Sequence, residues 1–202
     1  MLVTDLPLFP LQTVLFPGGL LSLKVFEARY LDLMGVCLRE SRPFGVVALR
    51  SGQEVRRTDD SVALEATGVM AELIDVDSTQ PGILQVRCRG TRRFAIGSTR
   101  QQADGLWLAQ TTTLPDDETV APAADQLDTV RSLANAIASL KAQGTQPFLS
   151  PYHFASAGWV ANRWCEILPI SLAAKQKLME LPDASVRLQL VDEFLRGKGV
   201  VK

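Results

Sequence analysis

The chain has 202 residues, enough for one large or two modest domains with a real core, and 47% of them are hydrophobic, which excludes a disordered polymer. Its formal net charge is −1, so no global field draws it to nucleic acid or to an anionic membrane. Three cysteines without paired spacing (Cys37, Cys88, Cys165) argue against a disulfide framework and a structural zinc, and fit reduced, partly buried thiols.

The opening stretch from Leu6 to Met34 predicts a strand, a turn at Phe16-Pro17-Gly18-Gly19, a second strand and a helix. Pro17 fixes φ while the glycines permit positive φ, so the chain turns there. Leu21, Leu23 and Val25 alternate with Leu20, Ser22 and Lys24, as in a half-buried strand. From Phe26 the period changes to that of a helix, with Phe26, Tyr30, Leu33 or Met34, and Cys37 on one face. Ser41-Arg42-Pro43 stops it.

Phe44 to Leu49 predicts a buried strand, and polar Ser51 to Ser61 an exposed loop. Val62 to Val76 predicts a longer strand in which Gly68 marks a bulge or a close approach. Asp77 to Gly82 predicts a hairpin loop, Ile83 to Ile96 the return strand, and Leu106 to Leu114 a final one. A closed or nearly closed antiparallel barrel removes the edges these strands would otherwise expose. Pro115-Asp116-Asp117-Glu118-Thr119 is a composition break and predicts a solvated linker.

The remainder predicts helices. One carries Leu127, Val130, Leu133 or Ala134, Ile137 and Leu140 inward and ends at Gly144. Ser150-Pro151 offers a cap and a first-turn proline for the next, which runs to about Leu168. Ser171 caps a third with Ala174, Leu178 and Leu181 inward; Pro182-Asp183 starts a fourth, with Ala184, Leu188, Val191 and Leu195 inward, ending at Gly197.

The run Leu-Pro-Leu-Phe-Pro-Leu, then Val14-Leu15-Phe16-Pro17-Gly18, Leu-Leu-Ser-Leu-Lys-Val and Phe26-Glu27-Ala28-Arg29-Tyr30 resembles the opening of Lon protease N-terminal, substrate-binding domains. Glu65 to Leu73, Val86 to Phe94, and Lys175-Gln176-Lys177-Leu178-Met179-Glu180 followed by Arg187-Leu188 extend the resemblance over nearly the whole chain. In the second of these, Cys88 displaces the expected first glycine. The resemblance implies an α+β fold: an N-terminal PUA-like antiparallel β-barrel with one helix over residues 1–115, then a C-terminal helical bundle over 120–202. It also implies a non-catalytic module that binds exposed hydrophobic or unfolded peptide, or a protein partner, without a cofactor.

Residue chemistry agrees with that expectation. No Gly-x-x-x-x-Gly-Lys-Ser/Thr loop is present for ATP, and no Gly-x-Ser-x-Gly elbow accompanies the lone His153. No metal-ligand cluster is evident. The expected peptide site lies in a cleft between the lobes, with Pro17, Gly18, Glu27 and Arg29 as its polar and turn residues and Trp159 as an apolar wall. Arg29 is taken there as an exposed rim charge. The alternative is an RNA-binding module using Arg87, Arg89, Arg92 and Arg93, with Arg100 close by, although the near-neutral charge and scarce aromatics disfavour nucleic acid. Without a signal peptide or apolar span, the cytoplasm is the expected location.

Overall fold

The computed structural model describes residues 1–51 and 62–201, so the loop expected after Ser51 lies outside the described residues. The chain divides into two compact units, Met1–Pro115 and Asp116–Lys202.

The first unit holds strands β1 (Leu2–Leu11), β2 (Leu20–Val25), β3 (Phe44–Ser51), β4 (Ala63–Gln80), β5 (Ile83–Gln101) and β6 (Trp107–Thr113), with helix α1 (Ala28–Glu40) after β2. They form one sheet in the order β2-β5-β4-β3-β1-β6, and an additional β5–β6 pairing returns the order on itself. Strand β2 stands outside that cycle, bonded to β5 alone among the described strands. The sheet is not wholly antiparallel, contrary to expectation, because β1 pairs parallel with β3, Leu8 opposite Gly45. Parallel neighbours need a long crossover, and β2 with α1 supplies it.

The inner core is built from Leu6, Leu8, Val47, Met70, Phe94 and Ala109, one face of alternating strands. Phe9 points to the other face, where its ring stacks on Tyr30 of α1 at 4.0 Å and tilts against Phe44. A strand covered on both faces should be apolar throughout, and the first six residues of β3 are all buried. Gly68 is a close-approach position: a Cβ there would lie 2.5 Å from the Phe94 ring and from the Val46 carbonyl.

The strands run longer than the composition suggests. Strand β4 continues through polar Asp77 to Gln80, and the hairpin closes in the short Pro81-Gly82 turn, Gly82 having φ 76°. Strand β5 runs past Ile96 to Gln101 because Ser98 to Gln101 find partners on β6.

The second unit holds α2 (Leu127–Ala142), α3 (Ala157–Ile167), α4 (Leu172–Glu180) and α5 (Ala184–Gly197). Helix α2 ends with Gly144 at φ 78°, its N–H bonded to Lys141 O and that of Thr145 to Leu140 O, so the last carbonyls are satisfied. Leu127 does not join its inward stripe; it is exposed, while Thr129, Leu133 and Ile137 are buried. Thr129 is held inside by donating its hydroxyl to Asp192.

Helix α3 begins later than Ser150-Pro151 would place it. Its cap is Ser156, whose Oγ accepts from Trp159 N at 3.2 Å. Residues 148–154 instead carry aromatic rings that gather on Trp159. In α4 the fully buried residues are Gln176 and Met179, with Ala174 and Leu178 only half-buried. Helix α5 buries Ala184, Leu188, Val191 and Leu195 as expected and is capped by the Asp183 carboxylate. Its closing glycine is Gly199, at φ 70°, with Val200 N bonded to Leu195 O; Gly197 is still helical.

Asp117 is not part of a solvated linker. Its carboxylate meets the Arg187 guanidinium at 2.6 Å, both side chains largely buried. Arg187 sits in the core of this unit, so it needs a counter-charge, and Asp117 supplies it.

Candidate functional site

Where β2 hands over to α1, an open groove of about 320 Å³ is lined by Phe9, Leu11, Thr13, the run Leu21 to Glu27, and Tyr30. Its lining is mostly apolar because the inward residues of β2 and the aromatic pair Phe9–Tyr30 meet there. Phe26 follows the strand and precedes the helix. It does not join the helical face expected to run from Phe26 through Tyr30 to Cys37, because α1 begins only at Ala28, and it stays 52% exposed.

The polar groups around the groove are unequal. Glu27 caps the start of α1 by position but makes no side-chain cap bond; its Oε2 accepts from Arg29 Nη2 at 2.7 Å. Arg29 is not an exposed rim charge. Only 9% of it is exposed; Nη1 donates to the Gly105 carbonyl at 2.9 Å, and the guanidinium lies 4.7 Å from the Tyr30 ring centre. The first helical turn points this side chain back toward the sheet, which α1 covers. Arg29 therefore fixes Glu27 and Tyr30, two residues that line the groove, and does not line it itself.

Pro17 and Gly18 are half-buried and do not line the groove. The turn's backbone is not left bare for a ligand. Gly18 N–H donates to Gly90 O at 2.8 Å, Gly90 N–H to Gly19 O at 2.9 Å, and Gly19 N–H to Phe16 O at 2.9 Å. Gly90 permits this approach, since a Cβ there would collide with the Phe16 carbonyl.

Trp159 belongs to the second unit. It is half-buried among Phe148, Tyr152, His153 and Phe154, with ring centres 5.3–6.4 Å away. Trp164 is the buried tryptophan, its Nε1 donating to Thr129 O at 3.1 Å. His153 is exposed and lies ahead of α3.

The arginine stretch on β5 divides. Arg87, Arg89 and Arg92 are exposed, but Arg89 pairs with Glu72 at 2.9 Å. Arg93 is buried and donates to the Pro115 carbonyl, so it is spent on the fold and gives no phosphate contact. Arg100 pairs with Asp5 at 2.8 Å.

The three cysteines are buried. Burial pushes the thiols of Cys37 up to about 11 and of Cys88 and Cys165 up to about 12, so they stay protonated and unreactive at neutral pH. Among the described residues, no three His, Cys, Asp or Glu side chains gather as a metal site. No described helix is long and apolar enough to cross a membrane.

Among the described residues, Glu166, in α3, is the carboxyl most displaced from its ordinary value. Burial pushes it up from 4.5 to about 7, against the pull of Arg163, whose Nη2 lies 2.6 Å from its Oε1. A raised carboxyl favours the folded state while it is protonated, so stability falls as pH rises from about 4.5 to 7 and levels off above that. Denaturation at pH 5 and pH 8 should show a loss of at most roughly 3 kcal/mol, and Glu166→Gln should flatten it. An equal slope in that variant would assign the dependence elsewhere.

The first unit thus combines a sheet that returns on itself, one strand appended to it and an apolar groove beside that strand. Residues 5–197 match the family described as the ATP-dependent protease La (LON) substrate-binding domain, and the chain belongs to that family. It is similar to the Lon N-terminal domain protein from Xanthomonas campestris, with 30% identity, a TM-score of 0.76, and 94% of this chain and 97% of that one covered. The N-terminal domain of the Mycobacterium avium complex Lon protease shares the fold at 16% identity and a TM-score of 0.58, over 95% and 98% of the two chains. Among curated proteins, the Lon protease of Anaeromyxobacter dehalogenans is 24% identical over 96% of this chain, and Lon protease 2 of Myxococcus xanthus 25% over 96%. The chain spans 23% and 24% of the length of those two relatives.

Proposed function

We infer that the chain is a non-catalytic recognition module for exposed apolar stretches of unfolded or partly folded polypeptide. The observation that carries this is the groove beside β2, apolar in lining and open to solvent, with Phe26 half-exposed at its edge. A largely preformed apolar cleft with a few placed polar groups is the usual form of a binding site. Lysine and arginine elsewhere support nucleic acid less well, since Arg93 is buried and Arg89 is paired. In this reading the first unit is a PUA-like β-barrel lobe and the second a helical bundle. A cytoplasmic setting goes with it, because unpaired buried thiols suit a reducing compartment.

Phe26 provides the test. Phe26→Asp should weaken binding of a fluorescent, unfolded apolar polypeptide by about tenfold or more, the scale of a lost aromatic anchor. The melting temperature should hardly move, because the side chain is already half in water. Undiminished binding by this variant would move the recognition surface away from the groove. Turnover of ATP or of casein that persists through extensive purification would overturn the non-catalytic reading.

A further inference from the structure

We propose that β2 is a docking edge: an extended polypeptide, alternating apolar and acidic residues, adds to it as a further strand. This rests on the peptide-binding reading above and specifies its mode.

The first observation is the contact pattern of the groove. A cavity over the face of a strand meets alternate residues, because side chains alternate across the sheet. This groove meets Leu21, Ser22, Leu23, Lys24 and Val25 in succession. Consecutive contact is what a cavity along a strand's edge produces. Among the described strands, β2 pairs with β5 on one side and with none on the other.

The second observation concerns the backbone. Gly90 N–H bonds to Gly19 O, and the register continues as Leu21 opposite Cys88, Leu23 opposite Val86 and Val25 opposite Leu84. Hydrogen-bonded pairs recur at every second residue of an antiparallel ladder, so Leu21, Leu23 and Val25 bond to β5. The N–H and C=O of Leu20, Ser22 and Lys24 are then directed away from β5, toward the groove's side of the strand. Such a row is a template for strand addition.

Charge selects the occupant. Lys24 is exposed on the face of the β2–β5 pair that also carries Ser22 and Arg87; Arg87 stands opposite Asp75 of β4, while Lys24 has no ion-pair partner among the described residues. Glu27 is already held by Arg29. An incoming strand therefore presents apolar side chains to the Leu21 and Leu23 side, and carboxylates to Lys24.

The experiment uses the full chain and a short fluorescent peptide alternating leucine and glutamate. Two further versions carry N-methyl groups, one on every leucine amide and one on every glutamate amide. An extended strand directs these two sets of N–H groups to opposite sides, so one set should cost at least about tenfold in affinity and the other little. Replacing glutamate by lysine in the peptide should weaken binding, and Lys24→Glu should reverse that preference. If both methylated peptides bind like the parent, or both lose equally, strand addition is overturned while apolar recognition stands. If no version binds, both readings fall. A concentration-dependent dimer that Ser22→Pro abolishes would assign the edge to a second copy and overturn the proposal.

Discussion

Replacing Asp117 by alanine should destabilise the second unit by about 3–5 kcal/mol, the cost of stranding a buried cation. All the N–H groups of Arg187 have acceptors: Nη1 reaches Asp117 Oδ2 at 2.6 Å and Asn162 Oδ1 at 3.1 Å, Nη2 reaches Asp117 Oδ1 at 3.0 Å and the Leu181 carbonyl, and Nε reaches the Leu178 carbonyl at 2.9 Å. The guanidinium thus ties the entry segment at Asp117 to α3, to α4 and to the turn before its own helix. Gly158 makes room for this pair, since a Cβ there would lie 2.7 Å from Asp117 Oδ2. Chemical denaturation followed by tryptophan fluorescence would measure the loss. A double variant, Asp117→Ala with Arg187→Met, should recover part of it, because it removes the orphaned charge along with its partner. A loss below about 1 kcal/mol for Asp117→Ala would place the pair with ordinary surface bridges.

Arg29→Glu should lower stability comparably, by about 3–5 kcal/mol. The substitution removes the donor to Gly105 O, removes the cation beside Tyr30, and sets a second carboxylate against Glu27 in a site that is 9% exposed. Arg29→Lys should lose less, since it keeps the charge but not the two-pronged geometry. Any loss of peptide binding in Arg29→Glu must therefore be read against folding, whereas Phe26→Asp is free of that confusion. An unchanged melting temperature for Arg29→Glu would return this residue to the surface role expected from its place in the sequence.

The contrast between those two residues shows what was legible. Helical period sets Phe26, Tyr30, Leu33 or Met34, and Cys37 on one face; Tyr30, Leu33, Met34 and Cys37 are buried, whereas Phe26 lies ahead of the helix and is 52% exposed. The same period sets Arg29 beside Tyr30 but cannot reveal that Gly105, far along the chain, offers it a carbonyl. Asp117 was hidden for the same reason: three consecutive acids look solvated until Arg187 arrives from α5. Alternation gave β2 and its inward leucines. Whether a strand has one neighbour or two is a property of the sheet, so the edge beside Leu21 to Val25 could not be read from local pattern. Of the expected site residues, Glu27 lines the groove, Arg29 holds Glu27 without lining it, and Gly18 ties the turn after Pro17 to Gly90 ahead of β2.

The pairing of β1 with β6 has a consequence for how the first unit is made. Leu2 is partnered by Thr112, so the opening strand stays incomplete until almost all of its unit has been synthesised. At ribosomal speed that interval is on the order of ten seconds. Throughout it, Leu6 and Leu8 lack Ala109 and Trp107, the β6 residues that later pair with them. The helices of the second unit depend on contacts closer in sequence and can form as they emerge. A chain of a substrate-binding family thus spends its own birth with an apolar strand uncovered, in the condition of the clients proposed for it.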